Sequence, residues 1–211
     1  MFDLRSFKSA ALNQLKGRWK VPCIATLILI AVFAVIEGSS ALTYGTIGGI
    51  LSTFVYGSSA IAFTNIFILL YLSNDKITFS DFVNGFSDFL KGFLGMLWMS
   101  LWIFLWSLLF VIPGFIKAFA YSQIFFILSD NPKIGVIKAM NISKVITQGH
   151  KADIFCLAFS FIGWYFLGII TGSVLFVWII PYEMATFTNA YYYLKQEAIR
   201  TGKLTPADFE S

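Results

Sequence analysis

Long apolar runs alternate along this chain with short stretches that are amphipathic or basic. The charge-poor runs extend from Val21 to Ile36, Ile47 to Leu72, Phe93 to Leu128, Ile154 to Ile170 and Val174 to Leu194. A bilayer core about 30 Å thick takes about 20 helical residues at ~1.5 Å each. The third run is too long for one crossing, since it would reach about 54 Å as a single helix. It contains one clear breaker, Ile112-Pro113-Gly114, where proline removes a backbone donor and glycine loosens the next turn. The pattern therefore predicts a tight structural turn at Pro113 and Gly114, a second one at Pro181, and six spans in all. These cover about 20–37, 47–72, 93–112, 114–129, 152–171 and 174–194.

Basic residues test that count. With the N-terminus inside, fourteen of the fifteen Lys and Arg residues fall in inner segments, and the outer turns hold only Lys117. An unbroken third run would give five spans and place the basic 133–151 loop outside, against the positive-inside rule. Both termini are thus expected in the cytoplasm. A basic start, an apolar run and the small residues Gly38-Ser39-Ser40-Ala41 also fit a cleaved signal peptide. The length of the basic region and the charge distribution favour a retained helix.

The inner connections have their own periodicity. Leu4, Phe7, Ala11, Leu15 and Trp19 line one face of a helix over 3–19. Phe79, Phe82, Val83, Phe86, Phe89, Leu90 and Phe93 do the same over 79–92. A third amphipathic helix over 132–149 is expected to start at Asn131-Pro132, a cap followed by proline at the first helical position. Such helices suit the membrane interface. Each ends in a glycine beside basic residues, so Gly17, Gly92 and Gly149 are expected as C-caps. A surface helix followed by a span, an outer turn and a second span would then recur three times, with a short cytoplasmic tail at 195–211. The fold class is all-α: a polytopic membrane protein with six transmembrane helices as three hairpins and amphipathic interfacial helices on the cytoplasmic side.

Composition agrees. Of 211 residues, 58% are hydrophobic and 12% charged, where a soluble domain is about a quarter charged. Mean hydropathy is +0.78. The net charge of +4 is explained by basic residues at the inner face, where anionic lipid attracts them, and nucleic acid is not an expected partner. Cys23 and Cys156 lie in separate apolar runs and read as small buried hydrophobes. With one histidine, His150, no metal site is expected and no cofactor is implied.

Four stretches, "LKGRWK" (15–20), "IPGFIKAFAYSQIFFILSDNP" (112–132), "QGHKADIFCLAFSFIGW" (148–164) and "PYEMATFTNAYYYL" (181–194), make the chain resemble a bacterial integral-membrane family, domain of unknown function 975. The resemblance implies a multi-pass membrane protein of the bacterial cytoplasmic (inner) membrane. It implies no activity, substrate or catalytic residue.

Chemistry is sparse. No Gly-x-Ser-x-Gly, His-Glu-x-x-His or phosphate-binding loop occurs, and no catalytic residue is named: the chain is not expected to be an enzyme. Glu37, Lys117 and Glu183 are the charged residues that the topology places at the outer level, where one cation could meet two carboxylates. The simpler reading has Lys117 reaching the headgroups and the glutamates solvated. Trp98, Trp102 and Trp106 form a stripe on the third span, which could wall a cavity for a greasy ligand or simply pack. Asn65, Gln123 and Asn189 suit hydrogen bonds between helices. Gly45-x-x-x-Gly49 and Gly168-x-x-x-Gly172 fit close helix contact.

Two functions are expected from these features. One is binding or translocation of a lipid or small amphipathic molecule through a cavity with an outer charged mouth. The other is a membrane scaffold or partner subunit that organises another membrane protein. Expected partners are membrane lipids, anionic inner-leaflet lipid at the basic surface helices, and a second copy or a membrane partner protein.

Overall fold

Apolar periodicity becomes helix over most of the chain. The computed structural model describes residues 2–40, 46–73, 75–109 and 111–209, without the side chains at 37, 39, 40, 46–51, 109 and 111–113. The helices are α1 (Leu4–Leu15), α2 (Lys20–Ser40), α3 (Thr46–Leu72), α4 (Phe79–Asn84), α5 (Phe89–Leu109) and α6 (Val111–Tyr121), then α7 (Ile124–Asp130), α8 (Val136–Ile146), α9 (Lys151–Phe159), α10 (Ile162–Ile170) and α11 (Phe176–Arg200). Short 3-10 turns at Gly85–Asp88 and Pro206–Phe209 complete the order. No strand occurs among the described residues.

Three described segments are long and apolar enough to cross a membrane: Ser52–Leu72, Phe79–Leu108 and Lys151–Ile170. A fourth is counted if Leu4–Leu15 and Lys20–Ile36, which meet at a bend of 100°, act as one. Helices of this length and apolarity are those of a membrane protein.

α3 and α11 form the centre. α3 packs on α2, α5 and α7, and α11 packs on α1, α2, α3, α8 and α10. α3 and α5 approach closely because glycines meet where they cross. A Cβ on Gly57 would stand 2.5 Å from the Gly92 carbonyl oxygen, a distance no side chain tolerates. Gly92 is therefore a crossing residue inside α5 rather than the expected C-cap. The 79–92 segment runs on into α5 through the 3-10 turn, with Gly85 set against Ala62.

The long third run does break near the expected place. α5 ends at Leu109, α6 begins at Val111, and the two pack along each other, with Gly114 against the Ser107 side chain. Pro113 lies in the first turn of α6, where an amide N–H has no helical partner in any case. A second break at Ser122–Gln123 separates α6 from α7, and a third at Ser160–Phe161 separates α9 from α10. Pro181 differs from its expected role as a turn. It sits at the sixth position of an unbroken α11, and the preceding turn is carried by Gly172 (φ 63°) and Ser173 (φ 72°).

Gly17 (φ 77°) and Gly149 (φ 95°) do adopt the left-handed conformation that ends helices. After Gly17, the Arg18 guanidinium donates to the carbonyls of Ser73 (2.6 Å) and Leu70 (3.3 Å), while its Nε donates to the Gln14 carbonyl (2.9 Å). One side chain thus satisfies open carbonyls at the C-terminal ends of α1 and α3. The apolar face of α1 is not left to lipid, because Phe7, Ala11 and Leu15 are buried against the protein. The third amphipathic helix starts at Val136, four residues later than expected. Asn131 instead closes a turn, its side-chain oxygen accepting from the Lys133 N–H at 3.1 Å. Cys156 is exposed on α9 rather than buried, and Cys23 is half-buried.

Candidate functional site

α2, α3, α7, α10 and α11, with the α6–α7 break, surround a cavity of about 570 Å³. Its wall is apolar and aromatic, with Phe33, Phe63, Phe126 and Phe187 among the contributing side chains. Glu183 is the ionisable acid in this wall, and no Lys or Arg lines it. The Tyr165 hydroxyl donates to Glu183 Oε2. Local sequence explains how they meet. The turn around Gly172 folds α10 back along α11, and Gly168 leaves room for the Phe176 ring, where a Cβ would stand 2.8 Å from the ring's Cζ. Phe176 in turn lies 5.8 Å from the Tyr165 ring, centroid to centroid.

The residues expected from sequence are distributed differently. The Glu37 side chain and Gly45 lie outside the described residues, so the expected Gly45–Gly49 contact does too. Lys117 stands over the Trp106 ring at 4.5 Å and forms no ion pair with Glu183. α6, which carries Lys117, packs on α8 and α9, which carry Lys144 and Lys151. Lys151 also shares a surface groove with Phe115, Ile116 and Phe119, and Lys144 sits 5.5 Å from the Tyr121 ring.

The tryptophans do not wall the Glu183 cavity. Trp98 and Trp102 meet edge-on at 6.2 Å, Trp98 borders a separate groove between α5 and α8, and Trp102 packs on the main core. Of the polar residues in spans, Asn189 bonds to Gln14 on α1, and Asn65 donates to the Asp81 carbonyl at 3.3 Å. The Gln123 side-chain amide donates to its neighbour Ser122 at 3.0 Å, and its backbone N–H donates to the Ser143 hydroxyl at 3.3 Å. His150 precedes α9, pairs with Asp153 at 2.8 Å and stacks on Phe2. No three His, Cys, Asp or Glu side chains that could hold a metal lie together among the described residues.

A second polar cluster has no counterpart in the sequence reading. Asp130, at the end of α7, accepts from the hydroxyls of Tyr191 (2.9 Å) and Tyr192 (2.8 Å) and pairs with Lys195. Only a tenth of its side chain is exposed, at 10%, so three donors compensate a nearly buried carboxylate. Beside it, the Asn131 amide donates to the Phe209 carbonyl, and Lys195 lies 4.7 Å from the Phe209 ring. The cluster thereby fastens the C-terminal segment to α7 and α11. A signal was available: three successive tyrosines ending an apolar run carry hydroxyls that need partners once buried.

Residues 108–198 match the family model described as Protein of unknown function (DUF975). That stretch is similar to the DUF975 family. It carries Lys117, Asp130, Tyr165, Glu183, Tyr191, Tyr192 and Lys195, so both polar clusters lie within the matched segment. The α2 and α3 walls of the cavity come from outside it. No curated protein and no solved structure matches the chain.

Proposed function

We propose that the chain is a multi-pass protein of the bacterial inner membrane that binds a lipid or other small amphipathic molecule in the cavity around Glu183 and Tyr165. Its role is binding or passage rather than covalent catalysis. The observation that carries this reading is the cavity itself: about 570 Å³ of space among five helices, apolar in its wall, with one hydrogen-bonded carboxyl pair. Concave apolar sites with a few placed polar groups are the usual form of small-molecule sites.

In this reading both termini are cytoplasmic and the six apolar segments form three hairpins, supported by the basic residues of the inner connections and by the fold-back of α6 on α5. α6 and α8 reach only part of the way across, since eleven residues measure about 16 Å as a helix. Lys117, Lys144 and Lys151 can then share one level.

Native mass spectrometry of the protein purified in mild detergent tests the proposal. Wild type should retain a co-purifying amphipathic molecule, and Ala60→Trp, which places an indole in the cavity wall, should lose it while keeping its melting temperature. Equal retention by both proteins would contradict the assignment of the cavity.

A further inference from the structure

The hydrogen-bonding protons around the cavity are committed in one direction. Thr26 donates its hydroxyl to the Pro22 carbonyl (2.8 Å), Ser59 to Val55 (2.7 Å) and Ser122 to Phe119 (2.9 Å). Each hydroxyl proton is thus spent on its own helix; the Thr26 and Ser59 oxygens keep lone pairs to offer, while Ser122 Oγ already accepts from the Gln123 amide. The Tyr165 hydroxyl is spent on Glu183. What the wall presents to an occupant is therefore mostly acceptors, with Glu183 as the strongest. Tyr56 is the lining hydroxyl with no hydrogen bond among the described residues, and its ring stacks on Phe33 at 4.0 Å.

Charge points the same way. No lysine or arginine lines the cavity, and Glu183 has no ion-pair partner among the described residues. A carboxylate in an apolar site needs a cation or further donors to offset its lost hydration. Four phenylalanine rings and Tyr56 supply π faces, which attract an ammonium and repel an anion. An anionic amphiphile would meet acceptors and a like charge; a neutral one would leave the carboxylate with the Tyr165 hydroxyl and no cation.

We propose that the molecule held in this cavity is a cationic amphiphile, with an ammonium head on Glu183 and an apolar tail along the α2 and α3 wall. The inference rests on the cavity-binding reading above and adds the ligand's charge. Phe33 and Tyr56 flank the path that such a tail would follow.

The test uses full-length protein in nanodiscs of phosphatidylcholine, with empty discs as the partition control. Dodecylammonium, dodecanol and dodecanoate are titrated below their micellar concentrations. Wild type should bind dodecylammonium at least about tenfold more tightly than dodecanol, the lower end of what one charge-assisted hydrogen bond contributes. Dodecanoate should bind most weakly. Glu183→Gln should bring dodecylammonium to the level of dodecanol, and Gly163→Ala, outside the cavity wall with nothing within 4 Å, should keep the wild-type order. Because the order among three ligands is read on wild type, it stands even if a variant folds poorly. Equal binding of dodecanol and dodecylammonium would overturn the charge assignment while leaving the cavity reading intact. Failure of all three to bind above empty discs would overturn both.

Discussion

Gln14 and Asn189 exchange two hydrogen bonds, with Gln14 Nε2 donating to Asn189 Oδ1 at 3.2 Å and Asn189 Nδ2 donating to Gln14 Oε1 at 2.8 Å. The pair joins the N-terminal helix to α11 across 175 residues of chain, and Asn189 is buried while it does so. α1 is therefore part of the folded bundle. Asn189→Ala should lower stability by about 1–2 kcal/mol, the range for side-chain hydrogen bonds between membrane helices. Gln14→Ala added to it should cost little more. Thermal unfolding in detergent of the two single variants and the double variant checks this, and fully additive losses would speak against a reciprocal pair.

The crossing of α3 over α5 has no room for a side chain. Gly57→Ala should destabilise the protein by about 1–3 kcal/mol, as overpacking does in a closed interface. Gly163→Ala serves as the control, because nothing lies within 4 Å of that position. Equal melting temperatures for Gly57→Ala and wild type would mean that the helices are further apart.

The C-terminal segment should be released by acid. Hydrogen bonds from the Thr205 backbone N–H and hydroxyl, both at 2.8 Å, hold the Asp208 carboxyl below its ordinary value of 3.8. A depressed carboxylate contributes stability that is present above its unfolded pKa and lost as pH falls through the folded one. The contribution is thus complete at neutral pH and declines below about pH 4. Asp208→Asn should mimic the acid state at pH 7. Limited proteolysis should then remove the tail after 200 faster than in wild type, and identical cleavage rates would count against this latch.

Lys117, Lys144 and Lys151 should report from one side of the membrane. In a background with Cys23→Ser and Cys156→Ser, single cysteines at 117 and 144 can be labelled with an impermeant maleimide in right-side-out and inverted vesicles. The packing of α6 on α8 and α9 predicts the same sidedness for both positions. Labelling from opposite sides would restore the separation that charge counting suggests.

Sequence alone went furthest where one local constraint decides the outcome. The excess length of the apolar run ending at Leu128 required a break, and the Ile-Pro-Gly triplet located it within a few residues. Gly17 and Gly149 could be recognised because each follows an amphipathic stretch and precedes a change of direction. Gly92 has the same neighbours in sequence, yet helix continues on both sides of it. Its role comes from Gly57, thirty-five positions away, which no local pattern reveals. Glu183 stands out as a charge in an apolar context, but its partner Tyr165 lies on the neighbouring helix, eighteen residues away in sequence. Asp130 carries no local sign of burial, because the tyrosines that bury it lie some sixty residues on. Contacts fixed by packing between distant segments are what a single sequence conceals.

A density map of the protein purified in nanodiscs made from native lipid tests most directly whether the space beside Glu183 is a ligand site. Elongated density along Phe33 and Tyr56, ending within hydrogen-bond distance of the Glu183 carboxylate, is the predicted result. A cavity closed by side chains, or one holding only water, would contradict it.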